Sequence, residues 1–224
     1  MTEYLHLWAE SAPQLLLATV KVTIPLSLIA FILALVVAML TTSMRLSRMA
    51  PLRWLARFYV WLFRGTPILV QLFIIFYGLP VIGVTFSAWT SAIIAFTLNT
   101  GAYAAETLRA SVSSIPRGQI EAARTLNYTR MQTLRHVIAP QALRIALPPL
   151  GNDLIDLVKG TSLVMVITLS DVFQVGRQIA ATTFQPLALY VEVAVIYLII
   201  FTLLSWIQGR LEKASNRYVR SSNA

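Results

Sequence analysis

The chain has 224 residues, 57% hydrophobic and only 12% charged, about half the charged fraction of an ordinary soluble domain. This excludes a water-exposed surface over the whole molecule and puts the chain in the membrane class. The net charge of +9 then marks inner-face loops rather than nucleic-acid binding.

Absence of cysteine excludes disulfides, thiol catalysis and cysteine metal sites. The two histidines, His6 and His136, lie in different regions and do not make a histidine-rich metal site. The length accommodates about five membrane spans, with little left for a soluble domain.

Residues 1–14 hold Glu3 and Glu10 and no Lys or Arg. A signal peptide needs a basic start, so the first apolar run is expected to be a retained span. That run is uncharged from Val22 to Met44, with Lys21 at its outer end and Pro25 near its start. It predicts a helix over about 18–42. Gly65 to Ala105 is uncharged again and too long for one span. Gly78-Leu79-Pro80 and Gly83 mark a turn, which predicts spans over about 59–78 and 88–110. A fourth, irregular segment over 151–170 carries Asp153, Asp156 and Lys159, with an expected break at Gly160. The last span, 187–209, holds one charge, Glu192. The expected fold is an all-α membrane protein of five transmembrane helices.

The basic residues orient it. With the N-terminus outside, Arg45, Arg48, Arg53, Arg57 and Arg64 fall inside. So do six arginines over 109–144 and, in the tail, Arg210, Lys213, Arg217 and Arg220. Together these are fifteen of the 18 basic residues. Such asymmetry sets orientation.

The inner loop 112–150 reads as structured. Ser113-Ser114-Ile115-Pro116 predicts a helix start. Glu121 to Arg124 continue as helix formers, Asn127 tolerates a left-handed corner, and Thr129 caps a second helix over 130–138 that ends before Pro140. An amphipathic pair resting on anionic headgroups fits the same pattern.

Glu121-Ala122-Ala123, Asn127, Val137 and Pro140 resemble the signature loop of permease subunits of bacterial ABC importers. The chain departs at Asn127, Val137 and Ala139, where the signature has Gly, Ile and Leu. Asn for Gly is mild, since both accept a positive φ. Arg64-Gly65-Thr66-Pro67 with Gln71, the run Leu98 to Arg109, and Lys159 to Leu163 are similar to the polar amino-acid permeases, most like the L-cystine type. The resemblance covers about residues 15–215.

It implies a type I ABC importer permease fold over 15–210, flanked by a periplasmic segment 1–14 and a cytoplasmic tail 211–224. It also implies a bacterial inner-membrane location. The implied partners are a second permease chain, identical or paired, two cytoplasmic ATPase subunits, and a periplasmic amino-acid-binding protein, all within membrane lipid. Coupling to the ATPase would run through Arg117, Gly118, Glu121, Ala122, Ala123, Arg124, Leu126 and Asn127. The chain has no phosphate-binding Gly-rich loop with Lys. ATP and magnesium are therefore expected on the partner, with no cofactor here.

Polar side chains within spans are functional hypotheses by default. Asn99, Tyr103 and Glu106 share one helical face, as do Asn152, Asp156 and Lys159. A break at Gly160 would free amide groups near Thr161 and Ser162 for a carboxylate, while an acid suits an ammonium. The expected substrate path is Asn99, Glu106, Asp156, Lys159, Thr161, Ser162 and Gln71. Glu106 pairing with Arg109, and Asp156 with Lys159, are the plain structural alternatives. Val164 and Met165 are a candidate gate, with ordinary packing the stronger reading. Asp171 and Arg177 are candidate outer-rim charges. The competing reading is an autonomous secondary transporter or channel using Asp153, Asp156, Lys159 and Glu106 as an ion relay. No catalytic set for a membrane enzyme is present.

Overall fold

The computed structural model describes residues 2–216, and every element in it is helical. Arg217 and Arg220 of the tail lie outside the described residues. Helices α1 (Thr2–Ala18) and α2 (Ile24–Leu46) join through a widened turn, Thr19–Thr23. Next come α3 (Ala50–Gly65), α4 (Ile68–Phe73), α5 (Ala88–Ser113), α6 (Arg117–Thr125) and α7 (Arg130–Thr133). The chain ends with α8 (Ala139–Gly160), a tight 3-10 turn Thr161–Ile167, α9 (Val172–Thr183) and α10 (Pro186–Asn216).

Proline explains much of this layout. Widened turns cover Thr19–Thr23, Ile74–Gly78 and Leu134–Ile138, and a proline follows each: Pro25, Pro80 and Pro140. In each case the residue just before proline donates five residues back: Ile24 to Thr19, Leu79 to Ile74, Ala139 to Leu134. Proline has no N–H and its ring crowds the carbonyl one turn earlier; a wider turn relieves both problems without breaking the helix. The helix expected to stop before Pro140 therefore runs on into α8. Helix α1 takes up residues 2–14 of the segment expected to be periplasmic.

The expected span 59–78 is not one helix. Thr66 precedes Pro67, which pushes it into extended backbone (φ −119°, ψ 142°). The axes on either side differ by 103°. Among the described residues, His6–Leu46 and Pro186–Ala214 are each long and apolar enough to span a membrane. The bent pair makes a third if counted as one. Helices α5 and α8 carry Asn99, Glu106, Arg109, Asp153, Asp156 and Lys159, and are more polar than a lipid-facing span.

Helix α5 is largely buried, and α8 packs against it. Helix α5 packs along α2 over most of its length. Ala30, Ala34 and Ala38 of α2 and Ala92, Ala95, Ala102, Ala104 and Ala105 of α5 are all buried. Small residues let backbones approach closely where lipid supplies no hydrophobic drive. At Gly101 a Cβ would meet Tyr59 Oη at 3.0 Å and Val37 Cγ1 at 3.1 Å. The main core joins Leu26, Leu72, Phe96, Leu157, Val164 and Ile167. A smaller one joins Leu15, Val172, Val193 and Ile196 across α1, α9 and α10.

Two buried acids bind this second layer together. Asp171 is fully buried; its Oδ1 caps α9 through the Gln174 amide (2.9 Å), and its Oδ2 accepts from Tyr197 (3.2 Å). The expectation that Asp171 is a rim charge is thereby corrected. Glu192 accepts from Ser11 Oγ (2.5 Å), tying α10 to α1.

The inner loop folds as a hairpin. Ser114 closes α5 instead of opening the next helix, and α6 starts at Arg117 behind Pro116. Asn127 takes φ 58°, its amide donates to Arg124 O (2.9 Å), and the Tyr128 amide donates to Ala123 O (3.0 Å). This is the closure that a left-handed residue makes at a helix end. Thr129 then caps α7 in a reciprocal box with Gln132. Asn127→Val forces a β-branched residue into positive φ and is expected to cost about 1–3 kcal/mol. Asn127→Gly is expected to be near neutral. Thermal unfolding of the purified chain separates the two.

Candidate functional site: a polar cavity and an exposed hairpin

The corner between α3 and α4 carries two residues of the expected path. Gln71 Nε2 donates to Phe63 O (3.0 Å), Thr66 O (3.1 Å) and Thr66 Oγ1 (2.8 Å). Asn99 Nδ2 donates to Phe63 O (3.0 Å) and to Gln71 Oε1 (3.2 Å). The final carbonyls of α3 have no helical partner, and these two amides supply the donors.

Beside the corner lies an open cavity of about 320 Å³. Helix α5 lines it with Asn99, Thr100 and Tyr103; α8 lines it with Asp153, Asp156, Leu157 and Gly160. Asp153 Oδ2 is buried without a hydrogen-bond partner among the described residues. The Arg64 guanidinium stacks over the Tyr103 ring, 5.1 Å from its centroid.

Asp156 also faces the other side of α8. There Asn152, Asp156 and Lys159 line a second groove against Ser205 and Gln208 of α10, as their common helical face led one to expect. Asp156 and Lys159 pair at 2.6 Å, with side chains 70% and 55% exposed.

Glu106 is not among the residues lining this cavity. Its two oxygens are held by Arg45 at the end of α2 and by Arg109 one turn on. Thr161 is fully buried and donates to Val158 O (2.8 Å); Ser162 donates to Lys159 O (2.9 Å). The helix does not break at Gly160. It tightens, and the Thr161 amide donates back into α8, so no half-helix start forms there. The terminus that does form is at Asp171, capped by its own carboxylate. Val164 is fully buried in the main core.

The hairpin is the other distinctive surface. Arg117, Gly118, Glu121, Ala122, Arg124, Leu126 and Asn127 are exposed, and only Ala123 of α6 is buried. Leu126 and Met131 are each 69% exposed. A well-closed hairpin that buries so little of itself presents apolar knobs among arginines.

Residues 28–217 match the family of binding-protein-dependent transport system inner membrane components. The chain belongs to that family. It is a membrane component of an ABC transport system. The permease is 48% identical over 198 residues to the L-cystine transport system permease protein TcyB of Bacillus subtilis (strain 168), covering 88% of this chain and 85% of that protein. It is 42% identical to the probable amino-acid ABC transporter permease protein YckA of the same organism, over 88% of this chain and 87% of that one. In fold it matches a chain of an amino-acid ABC transporter crystallised with histidines, with TM-score 0.87 and 31% identity, over 92% of this chain and 96% of that one.

Within this permease, Asn99 and Asp156 of the expected path meet in one cavity; Glu106, Thr161 and Ser162 are engaged elsewhere. Reasoning from sequence left Asp153 to the ion-relay alternative and counted Arg64 among inner-loop charges. The i, i+3, i+7 spacing of Asp153, Asp156 and Gly160 was the available signal for the first. No sequence signal places Arg64 against Tyr103, because that contact depends on the corner.

Proposed function

We propose that this permease is one half of the pathway of an ATP-driven, binding-protein-dependent importer of a polar amino acid, with L-cystine the first substrate to test. Five spans carry it through the bacterial inner membrane with the N-terminus outside. A second permease chain completes the pathway, two ATPase subunits holding ATP and magnesium dock inside, and a periplasmic binding protein delivers the solute. Helix α6 is the coupling element.

The observation that carries the reading is the folded, exposed hairpin at 117–138. Its capped corner makes it rigid, and its exposed Leu126 and Met131 suit insertion into a partner. The charge asymmetry of the loops supports the orientation. The likeness to TcyB supports L-cystine.

Asp153 and Asp156 take the solute's ammonium at the cavity. Uptake by liposomes containing the permease, its ATPase and its binding protein tests this. Asp153→Asn and Asp156→Asn are each expected to lower L-cystine uptake about tenfold or more, since a hydrogen bond to a charged group contributes about 1.5–3 kcal/mol. Normal uptake by either variant would remove that residue's ionic role.

A further inference from the structure

Arg64 lies exposed in the last turn of α3 beside the corner, with its guanidinium on Tyr103, a residue of the cavity wall. Among the described residues it makes no ion pair. An exposed, unpaired guanidinium beside a cavity is open to an anion that enters it.

Asp153 and Asp156 line the cavity, Arg64 stands against one of its walls over Tyr103, and Lys159 pairs with Asp156 from the neighbouring groove. Two acids alone would favour any amine. A cation beside the cavity changes the preference, because an α-amino acid carries its carboxylate and ammonium on one carbon.

We infer that Arg64 binds the solute's α-carboxylate and so makes the cavity select amino acids over the corresponding amines. The inference rests on the amino-acid importer reading. A guanidinium offers a planar pair of donors matched to a carboxylate. The Tyr103 face holds that plane in position. Lysine in its place keeps the charge and loses the fork.

The test uses the purified permease–ATPase complex without the binding protein, so that the membrane cavity alone selects. Binding of radiolabelled L-cystine is competed with cystamine, which is L-cystine without its carboxylates. Wild type is expected to prefer L-cystine. Arg64→Gln is expected to weaken L-cystine binding about tenfold or more and leave cystamine binding unchanged, while Arg64→Lys recovers part of the loss. Unchanged preference in Arg64→Gln overturns the assignment. So does equal loss of both ligands, which would make Arg64 a folding residue. Wild-type liposomes that take up no amino acid defeat the importer reading and this inference together. If they take up a different amino acid, that solute and its decarboxylated amine become the pair compared.

Discussion

Glu121→Lys is expected to strip the ATPase from the purified complex and to reduce solute uptake to background. Glu121 lies on exposed α6, where Arg117 precedes it by one turn and Arg124 follows by one. Reversing its sign turns a mixed-charge face into a uniformly basic one. Truncating or reversing one member of a buried interfacial charge pair costs about 2–5 kcal/mol, a loss of about thirtyfold or more in affinity. The substitution faces solvent in the isolated chain, so its own stability should move by no more than about 0.5 kcal/mol. Co-purification with the ATPase and a melting curve of the permease alone separate the two effects. A variant that keeps its ATPase and transports normally would mean that α6 is not the docking surface.

Glu106→Gln should act on the fold rather than on a partner. The carboxylate bridges Arg45 and Arg109, whose side chains are 18% and 33% exposed. Neutralising it leaves two arginines facing each other across α2 and α5, the most extensive helix pair in the molecule. Loss of one partner from a buried pair costs about 3–5 kcal/mol. Partial exposure reduces this to about 1–3 kcal/mol. The measurable result is a lower melting temperature in detergent. Arg45→Gln should recover part of it, because it removes one of the stranded charges. An unchanged melting temperature in Glu106→Gln would show that the clamp contributes nothing and would return Glu106 to the transport path.

Local chemistry was legible in the sequence wherever one residue decides the outcome. Asn127 turns left, Thr129 caps α7 with Gln132, and Gly83 ends the outer turn at φ 84°. The family resemblance rested on the same stretch. Proline was harder to read. Pro25, Pro80 and Pro140 sit behind widened turns that keep helices continuous, whereas Pro67 produces the sharp corner. The difference is the residue before it. Thr66 adopts extended backbone, but Ile24, Leu79 and Ala139 stay helical by donating five residues back. Hydropathy carries no record of that choice. The site was partly legible for the same reason. Asn99 and Asp156 were found because polar residues in apolar runs stand out. The roles of Gln71 and Arg64 depend on a 103° bend that brings the end of α3 against α5.

The central claim is that this chain is half of a pathway driven by a separate ATPase. Uptake into liposomes tests it directly, with the permease alone in one set and with its ATPase, binding protein and internal or external ATP, as orientation requires, in the other. Accumulation against a gradient only in the second set, abolished without ATP, is the predicted result. Uphill accumulation by the permease alone, driven by an ion gradient, would contradict it.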